Sequence, residues 1–130
     1  MYQCLNQPFQ HKHPHQVFSA AYAFLKQWKR DSGVTPPAVT VIAFNPPEPV
    51  LLNWFRGHTE KNSEPDKERR YRLLPCVREL LENSTDPPTP RGQEDYALEG
   101  LTPGGNVFRV IIKRDPKGKL HLLGCFPRKP

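Results

Sequence analysis

The C-terminal segment, residues 107–130, constrains the fold most strongly because it predicts a β-hairpin with a defined register. Two apolar runs, Val107–Lys113 and Leu120–Phe126, flank the turn sequence Asp115-Pro-Lys-Gly-Lys119. Pro116 favours the first central position of a type I turn, and Gly118 can supply the left-handed residue that closes the loop. The turn predicts these cross-strand pairs: Asp115 with Lys119, Lys113 with His121, Ile111 with Leu123, and Arg109 with Cys125.

This register divides the hairpin side chains between two faces, since directly opposite residues share a face. The apolar face gathers Phe108, Val110, Ile112, Leu122 and Phe126. The other face is cationic and carries Arg109, Lys113 and His121 around Ile111 and Leu123. A cationic face that bears an imidazole is suited to phosphate groups.

Composition limits the rest of the chain. A length of 130 residues with 36% hydrophobic residues predicts one domain with one modest core. Within it, residues 1–35 form an N-terminal tail and helix, and residues 36–130 form the core. The 16 prolines predict long connectors. The net charge of +6 favours a polyanionic partner such as nucleic acid, although the same charge can serve solubility alone.

Cysteine usage and hydropathy bear on the compartment. Cys4, Cys76 and Cys125 are widely spaced and form no CxxC pair. An odd count without a secretory leader favours a reducing compartment over a disulfide framework. No apolar run approaches the roughly 18 residues of a membrane span. We therefore expect a soluble, cytoplasmic protein with no membrane partner.

The first half of the chain alternates compact elements with proline-rich joints. Residues 1–13 are polar and are expected to be loose. Apolar residues at helical spacing predict an amphipathic helix over 14–31, with Pro14 at its start and Gly33 as its terminator. Residues 39–44 are β-branched and predict a strand between prolines, and residues 50–56 predict a weaker second strand.

The second half predicts helix and then sheet. Residues 57–66 read as a polar loop, 67–72 as a charged helical run, and 73–83 as an apolar helical stripe. Pro75 places a boundary or kink between these two helical stretches. A connector from residue 83, a strand at 96–101 and a turn at 102–106 lead into the hairpin. The predicted fold is α+β: amphipathic helices pack on a small antiparallel sheet that ends in the C-terminal hairpin.

Five histidines are candidates for chemistry. His11, His13 and His15 lie near the N-terminus, and no neighbouring carboxylate or cysteine completes a metal site, so we read them as a solvated tail. His58 lies in the stretch Arg56-Gly-His-Thr-Glu-Lys61. Nearby cations disfavour its charged form, and a neutral imidazole can act as a base. An exposed loop histidine without a function is the alternative.

Arginines supply the candidate anion ligands. Arg69 and Arg72 are three residues apart on the predicted helix and could bind phosphate together, or they could form a solvated face with Glu68. Arg109 lies within an apolar strand, where it is either an edge group facing solvent or a positioned anion ligand. Trp54 is a candidate platform for stacking bases.

The order of these motifs resembles the barnase–EndoU–colicin–RelE ribonucleases, in the versions found in phage proteins and bacterial polymorphic toxins. The resemblance covers roughly residues 54–128 and implies an antiparallel sheet of about four strands. It rests on the Gly57-His58 loop, the arginines before the helix Leu73-Leu-Pro-Cys-Val-Arg-Glu-Leu-Leu-Glu-Asn83, and the two terminal strands. In that family the last strand typically reads Leu-x-Leu-x-Thr-x-Phe/Tyr-Pro, whereas this chain has Gly124-Cys125. Its helix ends in Asn83-Ser84 where Asn-Pro is usual.

The resemblance implies RNA cleavage without a metal or another cofactor, in which the 2′-OH attacks the adjacent phosphorus. It places the base at His58 and the charge-stabilising cations at Arg109, Lys61 and either Arg69 or Arg70. Lys113 or His121 would protonate the leaving oxygen. Residues expected to bind RNA are Arg56, Arg69, Arg72, Lys113 and Trp54. The implied partners are RNA and a cognate inhibitor or immunity protein.

Two further interpretations of the sequence stay open. One is a non-catalytic module, such as a degenerate nuclease, that binds nucleic acid or protein through the same cationic face. The other is an immunity-like or anti-defence protein that captures a protein partner, which is an analogy with small phage proteins.

Overall fold

The fold is α+β, as the sequence predicts. A computed structural model describes residues 1–34, 40–41 and 48–128. Its helices are α1 (Pro14–Val34), α2 (Phe55–Thr59), α3 (Glu64–Arg72) and α4 (Leu74–Asn83). Its strands are β1 (Tyr2–Gln3), β2 (Thr40–Val41), β3 (Glu48–Leu51), β4 (Thr89–Pro90), β5 (Asp95–Leu101), β6 (Val107–Arg114) and β7 (Leu120–Pro127).

The sheet has the strand order β1-β5-β6-β7-β3-β2, and β4 also pairs with β5. Strands β5, β6 and β7 are antiparallel neighbours. Strand β1 runs parallel to β5, and β3 runs parallel to β7. The expected antiparallel sheet of about four strands is therefore wrong, because the sheet is mixed and larger. Strands β1 and β4, which the sequence analysis did not predict, are each two residues long, too short for an alternating pattern to reveal them.

One hydrophobic core joins the helices to one face of the sheet. The even-numbered residues of β6, from Phe108 to Ile112, contribute to it, and so do Leu120, Leu122 and Cys125 of β7. The stripe of α1 buries Val17, Ala21, Leu25 and Trp28 as its spacing predicts. Each large apolar side chain buried in this way stabilises the fold by about 1.5–3 kcal/mol. None of the described helices is both long and apolar enough to cross a membrane.

The terminal hairpin forms with its predicted turn. Gly118 has a φ of 85°, and the backbone N–H of Asp115 donates to Lys119 O at 2.8 Å. The carboxylate of Asp115 also accepts hydrogen bonds from the backbone N–H groups of Lys117 and Lys119. Proline before this glycine and a short acidic side chain at the start of the turn therefore specify the loop.

The register beyond the first pairs differs from the predicted one. Lys113 pairs with His121 as expected, but an irregularity between Ile111 and Ile112 shifts the partners that follow. The predicted pairs of Ile111 with Leu123 and of Arg109 with Cys125 are wrong. The observed pairs are Ile111 with Gly124, Val110 with Cys125, and Arg109 with Phe126. An extra residue at a β-bulge moves every later side chain to the other face. Phe126 therefore joins the face of Arg109, and Cys125 is buried in the core.

Several other boundaries also differ. Residues 1–13 are not uniformly loose, since β1 pairs with β5 and Cys4 is buried. Helix α1 continues through Gly33 to Val34. Of the predicted strand at 39–44, Thr40–Val41 is observed as a strand, and the remaining positions lie outside the described residues.

The segment that precedes the arginines is more helical than predicted. The expected strand at 50–56 ends at Leu51, and α2 begins at Phe55 inside it. Leu52, Phe55 and Thr59 are buried at spacings of three and four residues, which is the pattern of a helix. A search for alternating apolar and polar residues, which indicates a strand, does not find this pattern. Helix α3 starts at Glu64, within the predicted loop. The boundary predicted at Pro75 is confirmed, since Leu73 separates α3 from α4.

Gly100 of β5 offers a test of the core. A Cβ at this position would lie 2.9 Å from Leu80 Cδ1 and 3.1 Å from Phe108 Cζ, and both side chains are buried. Gly100→Ala is expected to lower the free energy of unfolding by about 1–3 kcal/mol through overpacking. Denaturant unfolding measures the change. Gly92→Ala is the control, because nothing lies within 4 Å of its Cβ position; equal stability of the two variants would contradict the packing.

Candidate active site

Gly124 of β7 forms the floor of the candidate site. Strand β3 pairs with β7 only at Leu120 and His121, and α2 and α3 pack against β7. A Cβ on Gly124 would lie 3.4 Å from His58 Cδ2 and 3.9 Å from both His58 Nε2 and Arg70 Nη1. The imidazole from α2 and the guanidinium from α3 therefore both lie over the strand at Gly124, within van der Waals distance of its Cβ position.

Arg70 is held in a fixed position beside this imidazole. Its Nε donates to Asp66 Oδ2 at 3.1 Å, and its Nη1 donates to the carbonyl oxygen of Cys125 at 3.3 Å. Its Cζ lies 5.4 Å from the centroid of the Phe126 ring. The side chain is 19% exposed, so a preorganised cation remains open to an anionic ligand.

The surroundings of His58 favour its neutral form. Partial burial lowers the pKa of His58, and the charges of Lys61 and Arg70 lower it further. An imidazole with a depressed pKa is unprotonated at neutral pH and can accept a proton. His58 is nevertheless exposed at the surface, so a substrate can reach it. The structure thus brings His58 and Arg70 together at Gly124, and the charge of Lys61 acts on the same imidazole.

Asp66 is the counter-ion of this group. Burial alone would raise the pKa of Asp66, but the hydrogen bonds and charges of Arg70 and Arg69 outweigh it and lower that pKa. The carboxylate therefore stays ionised and is shared by Arg69 and Arg70, with Arg69 Nη2 at 3.3 Å from Oδ1. An acceptor between two arginines orients both guanidinium groups.

His121 lies in a different environment from the one the sequence predicts. Its side chain is 5% exposed, and its ring stacks on Trp54 with centroids 3.9 Å apart. Its Nε2 is 2.7 Å from Asp115 Oδ2. Its Nδ1 is buried without a hydrogen-bond partner among the described residues. His121 and Trp54 therefore connect the hairpin turn to the segment after β3, and one face of the indole is already covered.

Arg109 lies on the same face of the hairpin as Gly124, the residue that His58 overlies. It pairs across strands with Glu99 on one side and Phe126 on the other. Arg109 and Gly124 are diagonal neighbours on adjacent strands. Such neighbours are about 7–8 Å apart. Its guanidinium is directed to Glu99, with Nε 3.7 Å from Oε2. Arg109 also lines a separate depression with Asp86 and Thr89.

The remaining predicted residues are dispersed. Arg56 lies over the ring of Tyr22, 4.0 Å from its centroid, on the side of α1. Arg72 donates to Glu68 and, at 2.8 Å, to the carbonyl oxygen of Phe9, so it anchors the N-terminal segment. Arg69 and Lys113 are exposed at the surface. These contacts assign Arg72 a structural role, and Arg69 lies beside Arg70 because both bind Asp66.

Sequence reasoning missed the contributions of Asp66, Phe126 and Gly124. The spacing of Asp66 and Arg70, four residues apart on a helix, was a usable signal for their ion pair. The bulge that turns Phe126 outward has no such signal in the sequence. No set of three or more His, Cys, Asp or Glu side chains in the described parts of the chain is arranged to hold a metal ion. Comparisons with known protein families, curated proteins and solved structures find no match for this chain.

Proposed function

We propose that the chain is a metal-independent endoribonuclease with its active site at His58, Lys61 and Arg70. One observation carries the proposal: an imidazole of depressed pKa and a fixed guanidinium converge over the side-chain-free floor at Gly124. Cleavage of a phosphodiester needs a base that removes a proton from the nucleophile and a cation that stabilises the charge on the phosphoryl oxygens, and these two groups can supply both. The ribonuclease resemblance of residues 54–128 supports the same reaction.

In the proposed reaction the ribose 2′-oxygen attacks the adjacent phosphorus. His58 takes the 2′-OH proton, the bond from the 2′-oxygen to phosphorus forms, and the bond from phosphorus to the 5′-oxygen breaks. Lys61 gives a proton to the departing 5′-oxygen and regains one from solvent. Arg70 stabilises the charge that develops on the phosphoryl oxygens. The products are a 2′,3′-cyclic phosphate and a 5′-hydroxyl, and DNA is not cleaved because it lacks the 2′-OH.

A second function has one specific observation in its favour. The ribonucleases that the chain resembles commonly carry serine or threonine where this chain has Gly124-Cys125, and the side chain of Cys125 is buried in the core. Strand β7 therefore contributes no hydroxyl group beside His58. A protein that binds RNA at this face without cleaving it is the alternative.

Cleavage of total RNA in the presence of EDTA separates the two functions. The wild-type protein is expected to cut RNA with EDTA present, and His58→Ala is expected to lose about 100-fold or more of that activity, the contribution typical of a general base. Because His58 is exposed, the variant should unfold at the wild-type temperature. If the active site also includes Arg109, Arg109→Ala should lose cleavage as well. RNA binding without cleavage across pH 5–9 would instead establish the binding module.

A further inference from the structure

A second cleft adjoins the proposed active site and shares Arg70 with it. It has a volume of about 840 Å³ and lies between the N-terminal segment, α3 and the ends of β6 and β7. Arg70 contacts the floor of the active site through Cys125 O and also lines this cleft. A ligand bound at His58 that continues past Arg70 therefore enters it. Its other polar and aromatic lining includes Gln7, Gln10, Arg69, Phe126 and Arg128.

The cleft is strongly cationic. Four arginines line it, Arg69, Arg70, Arg72 and Arg128, against one carboxylate, Asp66, which leaves a formal charge of four minus one, or +3. Arg72 is engaged by Glu68 and by the backbone of Phe9. The side chains of Arg69 and Arg128 are 60% and 51% exposed, so their guanidinium groups face solvent even while they pair with Asp66 and Glu99. A groove with such cations attracts a chain of phosphates.

Phe126 gives the cleft an aromatic surface. The β-bulge turns this side chain away from the core, so that it is half-buried next to the guanidinium of Arg70. An aromatic ring beside arginines is the arrangement on which unpaired bases stack. Bases of a duplex are already stacked and paired, and their faces are not available to a side chain.

We propose that this cleft binds unpaired nucleotides next to the scissile phosphate, which makes single-stranded RNA the substrate class. That the bound strand is RNA, and not another nucleic acid, rests on the proposed function. Phe126 stacks on a base, Arg70 binds the phosphate at the active site, and Arg69 with Arg128 binds the phosphates that follow. Asp66 competes with those phosphates for Arg69 and Arg70.

The competition by Asp66 predicts a gain of binding. Asp66→Asn keeps the shape of the side chain and removes the charge that both arginines face. The variant is expected to bind single-stranded RNA more tightly than the wild type, with a salt dependence steeper by about one phosphate contact, or roughly 0.7 in the logarithmic slope. A destabilised protein would not produce this gain.

Fluorescence anisotropy with two labelled probes tests the cleft. The first is a 12-nucleotide oligouridine with a 2′-O-methyl group on every ribose, which cannot be cleaved, and the second is a 12-base-pair RNA duplex. Phe126→Leu removes the aromatic face but keeps an apolar side chain, and it is expected to weaken binding of the oligouridine about 10-fold with little effect on the duplex. Arg69→Gln with Arg128→Gln should lower the salt slope for the oligouridine by roughly 1.4.

The controls separate this proposal from the proposed function. Lys26→Gln removes one charge from the exposed surface of α1 and should leave both affinities unchanged. His58→Ala should bind the oligouridine like the wild type and fail to cut RNA. If the wild type cuts RNA while the Phe126 and arginine variants bind and cut normally, the cleft is not on the path of the strand. If binding depends on the cleft and no RNA is cut, the cleft stands and the proposed reaction fails.

Discussion

Replacing Arg70 with glutamine is expected to slow RNA cleavage by about 100- to 1,000-fold, the usual cost of removing one preorganised donor from a transition-state anion. The guanidinium is fixed by Asp66 and by the carbonyl oxygen of Cys125, so it needs little reorganisation when charge develops. The same contacts make some loss of stability certain. Cleavage must therefore be measured at a temperature where circular dichroism shows that the variant is folded.

A shift of the pH profile distinguishes an active-site role of Arg70 from a structural one. Burial, Lys61 and Arg70 together lower the pKa of His58. In the wild type, the cleavage rate should thus fall with decreasing pH only below about 6.5, the ordinary histidine value. Arg70→Gln removes one of the cations that disfavour the imidazolium, so the pKa of His58 rises and the acid limb moves to higher pH.

Single-turnover rates between pH 4.5 and pH 8 measure both effects. Arg30→Gln is the matched control, since it removes the same charge from an exposed position on a helix and should change neither the rate nor the profile. A slower Arg70→Gln enzyme with an unmoved acid limb would show that His58 is not the group that titrates.

The parts of the fold set by local chemistry were predictable. The turn at Asp115 to Lys119 depends on a proline, a glycine and a capping carboxylate, all of which act within five residues. Pro75 likewise divides two helices because its ring is accepted in the first turn of α4 but not inside a helix. Local rules therefore identified the hairpin and the last two helices.

The parts set by distant contacts were not predictable. The bulge near Leu123 has no local signature, although it exchanges the faces of Cys125 and Phe126. Strand β1 is two residues long and exists because β5 offers it a parallel edge. The candidate site depends on both kinds of information: His58 and Arg70 stood out by residue type, and only the fold places them over Gly124.

The position of His58 depends in turn on Glu60, the residue that follows α2. Glu60 Oε1 accepts hydrogen bonds from the hydroxyl groups of Tyr22 and Tyr71, both at 2.8 Å, and Oε2 accepts one from Lys67 Nζ at 2.9 Å. These donors belong to α1 and α3, so one carboxylate joins three helices. The hydrogen bond from Lys67, opposed by burial and reinforced by the two tyrosines, lowers the pKa of Glu60 to about 2.

Glu60→Gln is expected to lower the free energy of unfolding at pH 7 by about 2 kcal/mol. The pKa shift corresponds to roughly 3 kcal/mol, and solvent screening of a side chain that is 33% exposed reduces it. Because the folded-state pKa lies below the unfolded one, this contribution is complete above pH 4.5 and is lost as the pH falls towards 2. Urea unfolding from pH 7 to pH 2.5 should thus show the wild type approaching the variant.

Glu64→Gln supplies the control for this prediction. Glu64 pairs with the same Lys67 at 3.1 Å, but its side chain is 72% exposed, so its removal should cost less than about 0.5 kcal/mol. A Glu60 variant that is no less stable than the Glu64 variant would show that the carboxylate does not join the helices. If it does join them, loss of Glu60 should also weaken RNA cleavage, because α2 then no longer holds the imidazole of His58 over Gly124.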